Sequence, residues 1–165
     1  MPITELVRWA FEIALASVLV IAALTDIRDR RIPNWTVLAV LILFAGWIFV
    51  APAPTTLASS LEAAGIAFVV TYALYAFGIF GAGDAKLFSA LALFAGMKSV
   101  LVFAVITTFV GGAIAVVIMF LRPTRALVMF QLRGKGDFGR GIPYGVAIAG
   151  GILITLVGTR AGYLN

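Results

Sequence analysis

The chain has 165 residues, 63% of them hydrophobic and only 12% charged, with a mean hydropathy of +1.14. Soluble domains carry roughly 25% charged residues, so these residues read as a single integral membrane domain over 1–165 rather than a soluble fold. There is no cysteine and no histidine, which excludes disulfides, thiolate zinc sites, Cys or His nucleophiles and Ser-His-Asp triads; carboxylates, hydroxyls, Lys and Arg remain, and no metal or cofactor is expected.

At about 20 apolar residues per spanning helix, six segments can be marked: 7–25, 35–51, 61–80, 86–98, 99–121 and 142–159. The expected fold is all-α, a polytopic membrane bundle of about six transmembrane helices. In the first segment Arg8 precedes an apolar run from Ile13 to Leu24, the outline of a secretory signal. Glu5 and Glu12 dilute its basic region, no Ala-x-Ala-like site follows, and the dense positive charge comes after the run. The segment therefore reads as a retained span.

Asp26 closes that span, six residues ahead of Ile32-Pro33-Asn34. Pro33 lacks an amide donor and drives Ile32 out of helical geometry, which predicts a turn, with Asn34 as N-cap of the second span. Alone, Asp26 and Asp29 read as neutralising Arg28, Arg30 and Arg31. After the third span comes Gly81-Ala82-Gly83-Asp84-Ala85-Lys86. Gly81 and Gly83 let the backbone leave helical geometry and approach another segment, and irregular backbone at membrane depth must be buried in protein or line a wet cavity. The plain alternative is an interfacial turn with Asp84 paired to Lys86.

The fourth segment is short, and only Gly96-Met97-Lys98-Ser99 separates it from the fifth, which predicts a short or tilted helix. Gly111-Gly112, and Ala147 with Gly151, have small-residue spacing suited to helix packing. The last span opens on Pro143-Tyr144-Gly145, where Tyr144 alone reads as an interfacial aromatic anchor.

Twelve Lys and Arg against seven Asp and Glu give a net charge of +5. Nine of the twelve lie in the loops 26–34, 81–86 and 122–141 (Arg28, Arg30, Arg31, Lys86, Arg122, Arg125, Arg133, Lys135, Arg140); the other three are Arg8, Lys98 and Arg160. The positive-inside rule makes those three loops cytoplasmic and turns both termini outward. Confined to short juxtamembrane loops without interleaved aromatics, these charges fit anionic lipid headgroups and not nucleic acid.

Asp26 and Asp84 thus fall on the same face of the membrane. An ionisable side chain at membrane depth marks a functional site by default. If the helices carrying them pack together, two carboxylates in contact would hold one shared proton. One would take a proton from water while the other protonates the carbonyl or the leaving amine, the chemistry of peptide hydrolysis.

The Gly-x-Gly-Asp-x-Lys run at 81–86 and the Asp-x5-Ile-Pro-Asn run at 26–34, in this order and on one side, resemble the type IV prepilin peptidases, the Gly-x-Gly-Asp membrane aspartic proteases. Ile142-Pro143-Tyr144-Gly145 is similar to that family's Pro-Tyr-Gly segment. The resemblance implies that Asp26 and Asp84 match the catalytic aspartates, with Gly81, Gly83, Lys86, Pro33, Asn34, Pro143, Tyr144 and Gly145 binding substrate or shaping the site. It implies a bacterial inner-membrane enzyme whose active site faces the cytoplasm and removes the leader of prepilins after a Gly. Many members also N-methylate the new terminus and carry a zinc-binding segment with paired cysteines. Without such a segment, this chain is expected to cleave only and to stand with the short members that serve Flp or tight-adherence pili. Two other classes fit the residues alone: a small proton- or cation-coupled transporter, and a non-enzymatic scaffold of a pilus or secretion machine.

Overall fold

The computed structural model describes residues 3–29, 31–50, 56–121 and 144–163. Among them there is no strand. Five helices follow in order: α1 (Ile3–Asp29), α2 (Asn34–Val50), α3 (Leu57–Ala76), α4 (Ala82–Leu121) and α5 (Tyr144–Arg160). Three contain stretches long and apolar enough to cross a membrane, Glu5–Asp29, Leu57–Ala76 and Ala82–Ile118, while α2 and α5 are shorter apolar helices. The loop expected at 122–141, Pro143 and Arg30 lie outside the described residues.

Local chemistry accounts for most helix ends. α1 stops ahead of the non-helical Arg31-Ile32-Pro33 segment, in keeping with the restriction that proline places on its predecessor. The Pro33 carbonyl then accepts from both the amide (3.1 Å) and the hydroxyl (2.7 Å) of Thr36, anchoring the turn into α2. Asn34, expected as a cap, is instead the first residue of α2. Thr56 caps α3 by accepting from the Ser59 amide.

The third apolar run ends as a helix at Ala76, four residues before the apolar composition does. Gly78, at φ +74°, sets a left-handed residue there, and the Gly78 and Ile79 amides return to the carbonyls of Tyr75 and Leu74. This double return satisfies the last carbonyls of the helix. Phe77 to Phe80 therefore turn across the bundle end.

Segments 86–98 and 99–121, expected to be divided by Gly96-Met97-Lys98-Ser99, are two helical arms of α4 divided at Gly96, whose φ of 65° and ψ of 175° are non-helical. The bend is sharp enough to fold the two arms onto each other. Phe88 and Phe103 stack with centroids 4.4 Å apart, whereas 15 residues of straight helix would separate them by about 22 Å. Only glycine occupies this backbone region comfortably.

The first arm of α4 is the centre of the protein. Residues 87–96 are buried without interruption, the signature of a helix enclosed on all sides. It runs beside α2, where Phe44 meets Phe94 edge to face, and against α3, where Thr71 Oγ1 and Ser89 Oγ lie 3.2 Å apart. α5 packs on both α4 and α1. The outward faces are apolar, as at Val20, Ile42, Val69 and Phe109, the pattern of a bundle solvated by lipid.

At the end of the bundle away from the two aspartates, Arg160 ties α5 to α1. Its guanidinium donates to Glu12 at 2.8 Å, lies 3.5 Å from Glu5 and stacks 3.9 Å over the Trp9 ring.

Candidate active site

The opposite end gathers the last turn of α1, the 31–33 turn, the 77–81 turn and the first turns of α4 and α5. Asp26 sits in the last turn of α1 and is 7% exposed; Asp84 sits in the first turn of α4 and is 9% exposed. The segment 81–86 is thus largely helical rather than a loop, beginning with the Ala85 amide bonding the Gly81 carbonyl. The two carboxyl groups are near enough for Asp26 to act on Asp84 electrostatically.

Each carboxylate is held by a backbone amide. Gly81 donates to Asp84 Oδ2 at 3.2 Å, so Asp84, the third residue of its helix, reaches back to the residue preceding it, half of a capping box. Gly145 donates to Asp26 Oδ2 at 2.8 Å. This bond brings the first turn of α5 against the last turn of α1.

The glycines matter here for space. A Cβ on Gly145 would lie 2.9 Å from Asp26 Oδ2 and 3.0 Å from its Cβ; one on Gly81 would lie 2.6 Å from Asp84 Oδ2. One on Gly83 would lie 3.1 Å from the Ile32 Cβ and 3.4 Å from its carbonyl. Of the two roles expected of Gly83, the close approach holds, since it lets the 31–33 turn come against α4, while the departure from helical geometry does not, because Gly83 lies within the helix.

The remaining predicted residues divide. Lys86 donates to Asn34 Oδ1 at 3.3 Å, an exposed strut between α2 and α4 at the rim. Pro33 anchors the adjoining turn. Tyr144, read alone as an interfacial anchor, is partly buried with its ring 5.2 Å from that of Phe80, and it lies within the field of Asp84. Pro143 lies outside the described residues. Sequence reasoning missed Phe80 beside Tyr144, since an apolar residue in an apolar chain carries no mark.

No cluster of three or more acidic side chains that could hold a metal ion occurs among the described residues. What this end of the bundle presents is two buried carboxyl groups, a backbone amide bonded to each, and the Phe80 and Tyr144 rings beside them in sequence. That set can accept a proton from water and deliver one to an amide.

A family model described as the type IV leader peptidase family matches residues 13–116, which include Asp26 and the whole of 81–86. No curated protein and no solved structure gives a significant match.

Proposed function

The chain belongs to the type IV leader peptidase family, and on that premise we propose that it is a membrane aspartic endopeptidase for Flp-type prepilins and pilin-like proteins. It removes their leader after a Gly, at the cytoplasmic face of the bacterial inner membrane, for pilus assembly. The observation that carries this reading is that two buried carboxyl groups, Asp26 and Asp84, lie at the same end of the bundle on two different helices, each bonded by a glycine amide. Their position at one end of the bundle, not at mid-membrane, favours a peptidase working at the interface over an ion-coupled transporter.

In this reading Asp26 and Asp84 are the catalytic pair, one ionised and one protonated. The carboxylate accepts a proton from water as the water oxygen bonds to the carbonyl carbon. The carboxylic acid donates to the carbonyl oxygen and, as the C–N bond breaks, a proton passes to the leaving amine. The Gly145 and Gly81 amides hold the two groups in position, which is where orientation enters the rate. Tyr144, Phe80 and the Pro33 turn wall the site, with Lys86 and Asn34 at its rim.

Six crossings follow if the two arms of α4 each span. The first arm, 82–95, reaches only about 21 Å, in keeping with a short crossing enclosed by other helices. Arg28, Arg31 and Lys86 sit at the active-site end, and with the basic residues of 122–141 they orient that end to the cytoplasm and to anionic lipid.

The test is co-expression with an Flp-type prepilin, following leader removal by gel shift and mass spectrometry for wild type, Asp26→Asn and Asp84→Asn. The expected result is a cut after Gly by wild type and a loss of about 10²–10⁴-fold in each variant, both still present in the membrane. Cutting by either variant at the wild-type rate, or no cut of any Flp-type prepilin by wild type, overturns the assignment.

A further inference from the structure

Between α3 and the second arm of α4 lies an apolar groove of about 890 Å³. Ile66, Val70 and Leu74 form one wall, and Leu101, Ala104 and Gly112 the other. Along the second arm it extends from Met97 to Ala115, 18 residues or about 27 Å of helix. The hydrocarbon core of a bilayer is about 30 Å thick. The second-arm lining therefore spans nearly all of it, and the α3 wall from Ile66 to Leu74 about 12 Å of it.

One end of the groove closes on Phe80 and Tyr144, and Phe80 precedes Gly81, whose amide holds Asp84. The residue after Tyr144 is Gly145, which holds Asp26. A chain lying in the groove would leave it beside the carboxylates. We propose that the groove docks an apolar transmembrane helix of the substrate and presents the segment beyond that helix to Asp26 and Asp84, an inference that rests on the peptidase reading above.

Length selects a helix over a lipid tail, because an acyl chain belongs to one leaflet and covers about half of this distance. The lining of the second arm favours the same occupant. Ala104, Thr108, Gly112 and Ala115 recur at helical spacing on one face, and small residues let a second helix approach closely where the hydrophobic effect gives no drive to associate. Gly112 faces open space, with no atom within 4 Å of an added Cβ. Docking by the apolar helix also leaves the scissile bond outside it, where the backbone is free of helical hydrogen bonds and can be positioned for attack.

The chain has no cysteine, so single cysteines report contacts without background. The full chain, in an Asp84→Asn form that binds without cutting, is reconstituted in liposomes with an Flp-type prepilin carrying one cysteine in its apolar helix. Leu101→Cys and Val70→Cys should cross-link to that probe at least about 10-fold more than Ile42→Cys on the outer face of α2. Gly112→Phe should reduce the Leu101→Cys cross-link about 10-fold, while Gly65→Phe, on α3 outside the groove and also facing open space, should not. Cross-links of equal yield at Ile42→Cys, or cross-links only between two copies of this chain, overturn the docking site. Cleavage of the same prepilin by the chain with Asp84 intact is scored separately. Cutting without groove-specific cross-links sinks the groove and leaves the peptidase reading, and groove-specific cross-links without cutting do the reverse.

Discussion

The amide of Gly145 donates to Asp26 Oδ2 at 2.8 Å across 119 residues of sequence, and there is no room for a side chain at that contact. The start of the last helix and the end of the first are thereby fixed to each other through a candidate catalytic carboxylate. Gly145→Ala should push Asp26 off its donor. We expect a loss of about 1–3 kcal/mol of stability, the usual range for overpacking, together with a fall in cleavage rate of about 10-fold or more. Gly150→Ala, whose Cβ would meet Val110 at an ordinary 3.7 Å, is the control. Melting in detergent and initial rates on a prepilin check both.

Gly83 and Ile32 form a second close approach, where a methyl added at Gly83 would lie 3.1 Å from the Ile32 Cβ. Gly83→Ala should destabilise, and Ile32→Gly, which removes the Cβ that the new methyl would meet, should relieve part of the clash. A double-mutant cycle should therefore show a coupling of about 0.5–3 kcal/mol, with the paired variant more stable than the sum of the single changes. Additive losses would mean the two do not touch in the working protein.

Gly96 holds a backbone conformation, φ 65° and ψ 175°, that other residues avoid. Gly96→Ala should cost about 1–3 kcal/mol, because the first arm of α4 depends on this bend to lie buried between its neighbours. Gly65, in the interior of α3 with open space around it, should behave oppositely. Gly65→Ala should stabilise by about 0.4–1 kcal/mol, read from thermal unfolding in the same detergent.

Cleavage should have a bell-shaped dependence on pH if it needs one carboxylate and one carboxylic acid. At low pH both aspartates are neutral and no base remains; at high pH both are ionised and no acid remains. The two apparent values belong to the pair rather than to either residue. A rate flat over the accessible pH range would exclude the shared-proton scheme.

Arg160 joins α5 to α1 far from the carboxylates, through Glu12, Glu5 and the Trp9 ring. With these groups partly exposed, Arg160→Met should cost about 1 kcal/mol and lower the melting temperature with little change in kcat. Arg160→Lys should recover only part, since an ammonium can neither fork to two carboxylates nor stack as a planar group.

The sequence alone determined that this is a membrane protein and singled out its two candidate carboxylates. Apolar runs of nearly 20 residues demand helices in lipid because every backbone polar group must be bonded within its own segment. Asp26 and Asp84 stand out because charge is costly inside such runs. Both properties are local, and can be read residue by residue. What depended on contacts across the chain was settled only in three dimensions: that α3 ends at Ala76 inside an apolar run, that the two arms divided at Gly96 fold back on each other, and that Asp84 sits on a helical turn. Tertiary structure also decided which glycine serves which neighbour. A glycine carries no side chain to pattern, and only the partner that would occupy its missing Cβ tells whether it provides a bend, as at Gly96, or space, as at Gly83 beside Ile32 and Gly145 beside Asp26.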